Sequence, residues 1–392
     1  MSKHSLRPVV LVLLLWLAGL GAAAQFAKIA VPFADFRALY SDAGPEFGWL
    51  LSMISVVGIF LGLTAGVLVA KFGYVKLLVL GLILGAAMSF WQASLPNFPT
   101  MLASRLIEGF SHLSIVVVAP TLIAQISSDR FRGMAMALWS TFFGVAFAII
   151  AWVGLPFAAS HGVSLLLSSH ALFMLMVACS LFLAFHRFDL NLPISNAPMN
   201  MINILRQHIR AYRSPNISAP AIGWLFYTLT FVALLAIIPA TLPVDSRATF
   251  VGILPLVSIA TALIIVSGLL SLMSATNIVI IGFALAASVV LFTFTGLSAS
   301  IVFVGLFAVL GLIQGASFAA TVQLNKTAED RALANGAMAQ MGNLGNALGT
   351  PILLAILSIF GITGLLLTIC GLYLAGGLAH VLLSQRRKGI VD

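Results

Sequence analysis

The chain has 392 residues, of which 61% are hydrophobic and 7% charged, and its formal net charge is +9. Soluble domains carry about 25% charged residues, so this composition excludes a water-soluble globular fold. Runs of about 20 apolar residues recur along the chain, which is the length a helix needs to cross the hydrocarbon core of a bilayer. The predicted fold class is therefore an all-α integral membrane protein.

Twelve apolar runs are separated by loop signals, and each is predicted to form one membrane-spanning helix. The predicted helices cover residues 8–31, 47–70, 76–94, 99–126, 134–158, 163–186, 219–241, 249–273, 276–296, 299–324, 334–360 and 362–385. The polar stretch 187–218 divides them into six and six. We therefore predict an N-terminal six-helix bundle over 1–186, a cytoplasmic central loop over 187–218 and a C-terminal six-helix bundle over 219–392.

The first predicted helix has two possible interpretations. Residues 7–30, RPVVLVLLLWLAGLGAAAQFAKIA, combine a basic start, an apolar run and an Ala-x-Ala-like site, as a secretory signal peptide does. Further apolar runs follow it, so we interpret it as a retained first span. Lys28 lies near its far end, with Gln25 one turn earlier on the same face. The lysine either extends its ammonium group to the outer interface or lines a pathway inside the protein.

Two short sequences in the first half and a repeated pattern indicate the type of membrane protein. The loop after the second span reads GVLVAKFGYVK (66–76), and the fourth span contains LASRLIEG (102–109). In addition, LIEGFSH and DRFRGMAMA in the first half correspond, in the same order, to LIQGASF and EDRALANGAMA in the second. This repetition favours a duplicated six-helix unit.

On these features the chain resembles the major facilitator superfamily of transporters over nearly its whole length. The loop is similar to the family's Gly-x-Leu-x-Asp-Arg/Lys-x-Gly-Arg-Arg/Lys signature at Gly66, Leu68, Lys71 and Gly73. It departs at Ala70, where the family usually has aspartate. The resemblance implies that Gly66, Lys71 and Gly73 belong to a gating loop.

The fourth span is similar to the family's Leu-x-x-x-Arg-x-x-x-Gly motif at Leu102, Arg105 and Gly109. This resemblance implies that Arg105 belongs to the central pathway and takes part in proton coupling. The fifth span lacks the Gly-Pro-rich signature of many drug/proton antiporters, which disfavours drug efflux. In its overall sequence character, and without a diagnostic motif, the chain resembles the branch of cyanate and related small-anion permeases.

Three ionisable residues of the fourth span, Arg105, Glu108 and His112, fall within about 60° of one another around a helix. Each such group costs about 2.5–3.5 kcal/mol in hydrocarbon, so it needs a physical reason. One interpretation is structural, with Arg105 and Glu108 neutralising each other and His112 forming an interior hydrogen bond. The other is that this stripe faces the central cavity, where Glu108 or His112 exchanges a proton. With Glu108 protonated, Lys28 and Arg105 make the cavity positive, which selects an anion.

The second half carries no charge within its predicted spans, but it has amides and hydroxyls. Gln314, Ser317 and Thr321 share one face of the tenth span, and Gln340 and Asn343 are neighbours on the eleventh. These side chains either join helices through hydrogen bonds or contact the substrate. The predicted substrate-binding residues are Lys28, Arg105, Gln25, Gln314, Gln340 and Asn343.

The basic residues predict the orientation of the chain in the membrane. With the N-terminus inside, the lysines and arginines outside the spans lie on the cytoplasmic side, except Arg37 and Arg247. Cytoplasmic loops of membrane proteins carry such an excess of basic residues. We therefore expect a multi-pass protein of the bacterial inner (plasma) membrane with both termini in the cytoplasm.

These observations predict a secondary active transporter that takes up a small organic or inorganic anion with protons, by alternating access. Two alternatives stay open: proton-driven efflux of a drug or metabolite, and a transporter-like sensor or assembly partner that moves nothing. The sequence contains no phosphate-binding loop, metal-ligand cluster or nucleophile-base arrangement, so we expect no enzyme activity, no cofactor and no metal site. The expected partners are an anionic small molecule, protons and the lipid bilayer, with no nucleic acid, and the protein is expected to be a monomer.

Overall fold

The computed structural model describes residues 3–188, 201–242 and 244–391, and within these ranges the chain is helical, without a β-strand. Part of the predicted central loop, residues 189–200, lies outside the described residues. The α-helices are α1 (Lys3–Ala30), α2 (Phe33–Leu39), α3 (Trp49–Ser52), α4 (Val56–Leu61), α5 (Ala65–Phe72), α6 (Tyr74–Ala93), α7 (Phe98–Ile126), α8 (Asp129–Ser140), α9 (Phe142–Ile149), α10 (Leu155–His161), α11 (Val163–Phe188), α12 (Met201–Arg213), α13 (Pro215–Ile237), α14 (Val244–Ala260), α15 (Val266–Leu269), α16 (Ala275–Leu291), α17 (Ala299–Leu324) and α18 (Ala328–Val391).

Ten helical segments among the described residues are long and apolar enough to cross a membrane. The longest, Glu329–Gly389, contains Gly361 in a non-helical conformation with φ 64° and ψ −168°. Glycine adopts positive φ without the steric cost that a Cβ imposes, so α18 changes direction there. This position coincides with the predicted boundary between helices 334–360 and 362–385. The protein is thus an all-helical, multi-pass membrane protein.

The prediction of one continuous helix over 47–70 was wrong. This segment contains a 3-10 turn (Pro45–Gly48), α3, a second 3-10 turn (Met53–Ser55), α4 and then α5. Glycines disfavour a regular helix and allow close packing: a Cβ on Gly58 would lie 2.2 Å from the Asn343 side chain, and one on Gly62 would lie 3.0 Å from the Gln340 backbone. The helix is therefore interrupted in the segment where it packs closely against α18.

The described chain divides into two compact units, which we call unit 1 (Met1–Ser41 and Thr64–Met199) and unit 2 (Asp42–Leu63 and Asn200–Asp392). Residues 42–63 group with unit 2, although the sequence analysis assigned them to the N-terminal bundle. The division into bundles 1–186 and 219–392 stays a prediction.

The core of unit 1 is formed by apolar side chains from four long helices. Leu15 of α1, Leu82 of α6, Ile115 of α7 and Met174 of α11 are fully buried in it. Many large apolar side chains elsewhere are exposed, as expected for a surface that faces lipid rather than water. The four core helices also carry the polar side chains described next, so these groups lie inside an apolar bundle.

Candidate functional site

Helix α7 places Arg105, Glu108 and His112 on the interior of unit 1. The helix begins after Asn97, whose side chain accepts a hydrogen bond from the backbone N–H of Thr100 at 3.1 Å and so caps the first turn. Arg105 and Glu108 are fully buried, and His112 is 9% exposed. The three side chains therefore share one buried face, as their spacing predicts.

Glu108 is held by two cations and one amide. Its Oε1 lies 2.6 Å from Lys28 Nζ, and its Oε2 pairs with Arg105 Nη1 on the same helix. Oε2 also accepts a hydrogen bond from Gln92 Nε2 of α6 at 2.8 Å. We call Lys28, Arg105 and Glu108 the charge triad. Their mutual pairing offsets the cost of burying charge, which is large for an isolated ion.

Lys28 does not extend to the outer interface, because its side chain is fully buried and paired with Glu108. Its ammonium group also donates to Ser89 Oγ of α6 at 2.6 Å. Ser89 Oγ lies in turn 2.8 Å from Nδ1 of His170 on α11, and His170 Nε2 lies 3.0 Å from the carbonyl oxygen of Gly21. A chain of hydrogen bonds thus runs from the charge triad across unit 1.

The donors and acceptors in this chain assign the tautomer of His170. A carbonyl oxygen can only accept, so Nε2 carries the proton that is donated to Gly21. Ser89 already accepts from Lys28, and its own hydroxyl can then donate to an unprotonated Nδ1. A neutral imidazole at His170 therefore satisfies every hydrogen bond in this chain. Each donation runs in one direction, from Lys28 to Ser89, from Ser89 to His170 and from His170 to Gly21.

Three carbonyl oxygens on one turn of α1 accept hydrogen bonds from side chains of α7 and α11. Gly21 accepts from His170, Ala22 from His112 Nδ1 at 3.0 Å, and Gln25 from Arg105 Nη1 at 2.9 Å. The His112 ring also packs edge-on against Phe26 with 5.0 Å between the ring centroids. His112 is thus an interior histidine bonded to the backbone of α1, in keeping with the structural interpretation of this residue.

Gln25 lies beside the charge triad without pairing with it through its side chain. Its Nε2 donates to Ser111 Oγ of α7 at 2.8 Å. Its Oε1 is buried and has no hydrogen-bond partner among the described residues. Gln25 therefore offers an unused acceptor in the interior of unit 1.

The predicted polar residues of unit 2 are used in different ways. Gln314 Oε1 accepts hydrogen bonds from the Tyr227 hydroxyl at 3.3 Å and from Ser258 Oγ at 3.2 Å, which links α17 to α13 and α14. Gln340 Oε1 accepts from Tyr212 of α12 at 2.7 Å, and its Nε2 donates to the Ile59 carbonyl oxygen at 2.7 Å. Both amides join helices.

Asn343 and the predicted gating loop have simpler surroundings. Asn343 Nδ2 donates within its own helix to the Ala339 carbonyl oxygen at 2.8 Å. In the loop, Gly66 lies within α5, Lys71 is exposed in the last turn of α5, and Gly73 separates α5 from α6 with φ 91° and ψ 131°. Only glycine adopts that conformation readily, so the loop depends on Gly73 for its shape.

Sequence reasoning missed Ser89, Gln92 and His170. Each is a polar side chain inside an otherwise apolar run, and this is the signal that identified Arg105 and Glu108. Ser89 and Gln92 are one helical turn apart on α6, so one face of that helix contacts both Lys28 and Glu108. The polar interior of unit 1 is therefore larger than the stripe on α7.

The three charges of the charge triad do not sum to zero. Glu108 is the only acidic residue in the sequences of α1, α6, α7 and α11, and it faces two buried cations. With all three ionised, the charge triad carries one positive charge in excess. In the part of the chain that the structure describes, no group of three or more His, Cys, Asp and Glu residues is arranged to hold a metal ion.

Comparison with known proteins identifies the family. The sequence model that describes the Major Facilitator Superfamily matches residues 11–325, which is most of the chain. The chain belongs to the Major Facilitator Superfamily. This family consists of transporters, so the protein is a membrane transporter of small molecules and not an enzyme. No curated protein matches the sequence.

Solved structures of Major Facilitator Superfamily proteins share the fold. The crystal structure of the human organic anion transporter MFSD10 (TETRAN) matches with a TM-score of 0.61 at 16% sequence identity. The match covers 95% of this chain and 99% of MFSD10. At this identity the likeness establishes the fold, not the substrate.

Proposed function

We propose that this transporter takes up a small organic or inorganic anion together with protons across the inner membrane of a bacterium. The observation that carries the proposal is the net positive charge of the buried charge triad, in which Lys28 and Arg105 share Glu108. A buried positive charge attracts an anion strongly, because water does not screen it. The structural likeness to an organic anion transporter agrees with this choice of substrate class.

Coupling follows from competition for the same two cations. An anion and the Glu108 carboxylate both need Lys28 and Arg105, so ionised Glu108 opposes anion binding. A proton on Glu108 removes its charge and releases the cations to the anion. Proton and anion therefore bind together better than either binds alone, and this mutual effect is the thermodynamic basis of symport.

Among the predicted substrate-binding residues, we assign direct contact to Lys28, Arg105 and Gln25 of unit 1, and the role of Gln314 stays a prediction. Gln25 has a buried acceptor without a partner, which suits a substrate hydroxyl, amide or protonated acid group. Gln340 forms hydrogen bonds with Tyr212 of α12 and with the Ile59 carbonyl oxygen, and Asn343 donates to the backbone of α18. We therefore assign both residues to helix packing. His112 bonds to Ala22, so we assign proton exchange to Glu108 alone.

We further propose twelve spans with both termini in the cytoplasm. The ten long apolar segments support this number when the shorter segment Pro45–Leu61 is added and α18 is counted as two helices separated at Gly361. We also propose that the protein works by alternating access, as other transporters built from repeats do.

The proposal is tested with purified protein in proteoliposomes. A panel of radiolabelled small anions, with cyanate, nitrite and short carboxylates among them, is offered with and without an inward proton gradient. We expect one anion to accumulate only with the gradient. Accumulation of no anion, together with proton-driven export of cationic or neutral compounds in inverted vesicles, would establish the efflux alternative. Absence of both activities would favour a sensor.

The coupling step is tested separately with Glu108→Gln, which imitates the protonated side chain. We expect this variant to lose gradient-driven accumulation but to keep exchange of labelled for unlabelled anion, because the cations stay free to bind the anion. The matched control is Asp35→Asn, which removes an exposed carboxylate of unit 1 and should leave coupled uptake unchanged. Retention of gradient-driven accumulation in Glu108→Gln would refute the role of Glu108.

A further inference from the structure

Helix α12 exposes an apolar row although it lies outside the membrane-crossing segments. Ile202, Leu205 and Ile209 are 61%, 62% and 45% exposed. At about 100° per residue, these three positions fall within about 60° of one another on the helix surface. Exposing such a row of large apolar side chains to water is unfavourable, whereas exposing it to lipid is not.

A basic sector lies directly beside this apolar row. Arg206, Arg210 and Arg213 occupy the neighbouring positions around the helix, and all three are exposed. Arg210 pairs with Glu329 and, at 2.7 Å, with Asp330 Oδ1, both near the start of α18. Arg206 and Arg213 extend the basic sector on either side of Arg210 along the helix.

The contacts of α12 with the rest of unit 2 fix its rotation. Ala211 is fully buried, and the Tyr212 hydroxyl donates to Gln340 Oε1 at 2.7 Å. Together with the Arg210 pairs, these contacts hold one side of α12 against the rest of unit 2. The apolar row therefore lies on the opposite, exposed side of the helix, and the contacts prevent rotation that would turn it inward.

Helix α12 directly precedes a segment that is long and apolar enough to cross the membrane. Only Ser214 separates it from α13, and the apolar segment Pro215–Thr241 begins at the next residue. Ser214 caps α13 by accepting a hydrogen bond from the Ile217 backbone N–H at 3.4 Å. A 13-residue helix joined this closely, about 20 Å long, stays near the bilayer boundary.

We propose that α12 lies in the surface of the cytoplasmic leaflet, with Ile202, Leu205 and Ile209 inserted among acyl chains and Arg206 and Arg213 bound to anionic lipid headgroups. A helix with adjoining apolar and basic sectors binds a membrane surface in this way. Anionic lipids attract arginines near the surface, and the long side chains reach the headgroups while their stems lie along apolar groups. The Arg210 pairs connect this lipid-bound helix to the start of α18.

The insertion is tested by spin-label accessibility in liposomes that contain phosphatidylglycerol. Leu205→Cys and Asn203→Cys are labelled one at a time in a full-length Cys179→Ala, Cys370→Ala background. Asn203 is also exposed but lies about 160° around the helix from Leu205, so it is the matched control. We expect the label at 205 to be accessible to oxygen and protected from a water-soluble nickel complex, and the label at 203 to show the reverse. Equal access of the nickel complex to both labels, or a label at 205 protected from both reagents by protein, would overturn the proposal.

The headgroup preference is tested by titrating the detergent-solubilised protein with phosphatidylglycerol or phosphatidylcholine and recording the thermal unfolding temperature. We expect phosphatidylglycerol alone to stabilise the protein, and Arg206→Gln with Arg213→Gln to weaken its apparent affinity about 30-fold. The matched double neutralisation, Arg386→Gln with Lys388→Gln, removes the same charge from the end of α18 and should largely keep the effect. Equal responses to the two lipids, or equal losses in the two double variants, would contradict binding by α12.

Discussion

Neutralising Glu108 alone should destabilise the protein more than neutralising Glu108 and Lys28 together. The ionised triad pairs one carboxylate with two cations, so Glu108→Gln raises its net charge from +1 to +2. Adding Lys28→Met returns the charge to +1 and leaves an apolar side chain of similar length in the bundle. The second substitution should therefore partly repair the first.

The distance between the two groups sets the magnitude. At 2.6 Å and an effective dielectric constant of about 20, the attraction between Lys28 and Glu108 is about 6 kcal/mol. Part of this only offsets desolvation, and removing one partner of a buried pair costs about 3–5 kcal/mol in measured cases. For a unit of this size, the apparent Tm of Glu108→Gln should fall by about 10 °C.

The assay is thermal unfolding of the purified protein, followed by tryptophan fluorescence at one fixed heating rate, since membrane proteins often unfold irreversibly. The double variant should recover about half of the lost Tm or more. Asp35→Asn, an exposed carboxylate, should change the Tm little. The reasoning is refuted if Glu108→Gln has the wild-type Tm, or if the losses of the single variants simply add in the double variant.

Three further predictions follow from other contacts and use the same unfolding assay. Ser89→Ala removes the hydroxyl that accepts from Lys28, and we expect a loss of about 1.5–3 kcal/mol, as for a hydrogen bond to a charged group; an unchanged Tm would contradict it. Gly73→Ala forces a Cβ into a conformation with φ 91° and should cost about 1–3 kcal/mol, whereas Gly133→Ala, a helical glycine with open space around it, should be neutral or stabilising. Burial raises the pKa of the Tyr212 phenol from 10 to about 12. The neutral phenol therefore contributes stability that is fully present below pH 10 and is lost as the pH rises to about 12. Tyr212→Phe should reduce this loss of stability at alkaline pH, and a pH profile identical to that of the wild type would refute the prediction.

The sequence predicted the membrane-spanning character, the family and the buried face of α7, because helical periodicity decides which residues of one helix share a face. It did not predict the pairing of Lys28 with Glu108. That pairing depends on how α1 is rotated and shifted relative to α7, which periodicity within either helix does not determine. The alternatives for Lys28 were therefore open until the structure placed the lysine inside unit 1.

The predicted continuity of the second helix was wrong for a related reason. Hydropathy over 47–70 is that of a span, and a hydropathy window does not register where tight packing interrupts a helix. Gly58 and Gly62 allow the close approach of α18, and this contact is made with residues almost 300 positions away along the chain. His170 was missed because a single polar residue in an apolar run is ambiguous until its hydrogen-bond partners are known.

The turn of α1 that contains Gly21, Ala22 and Gln25 fixes the position of this helix along α7 and α11 through hydrogen bonds. Its three carbonyl oxygens each accept from a side chain of another helix, so α1 cannot slide or turn by one residue without losing all three bonds. One residue inserted between Gln25 and Lys28 would turn the lysine by about 100° and carry its ammonium group away from Glu108. An insertion before Gly21 would leave that spacing intact. The length of a three-residue stretch of backbone, and not only the identity of its side chains, thus determines whether the lysine meets its carboxylate.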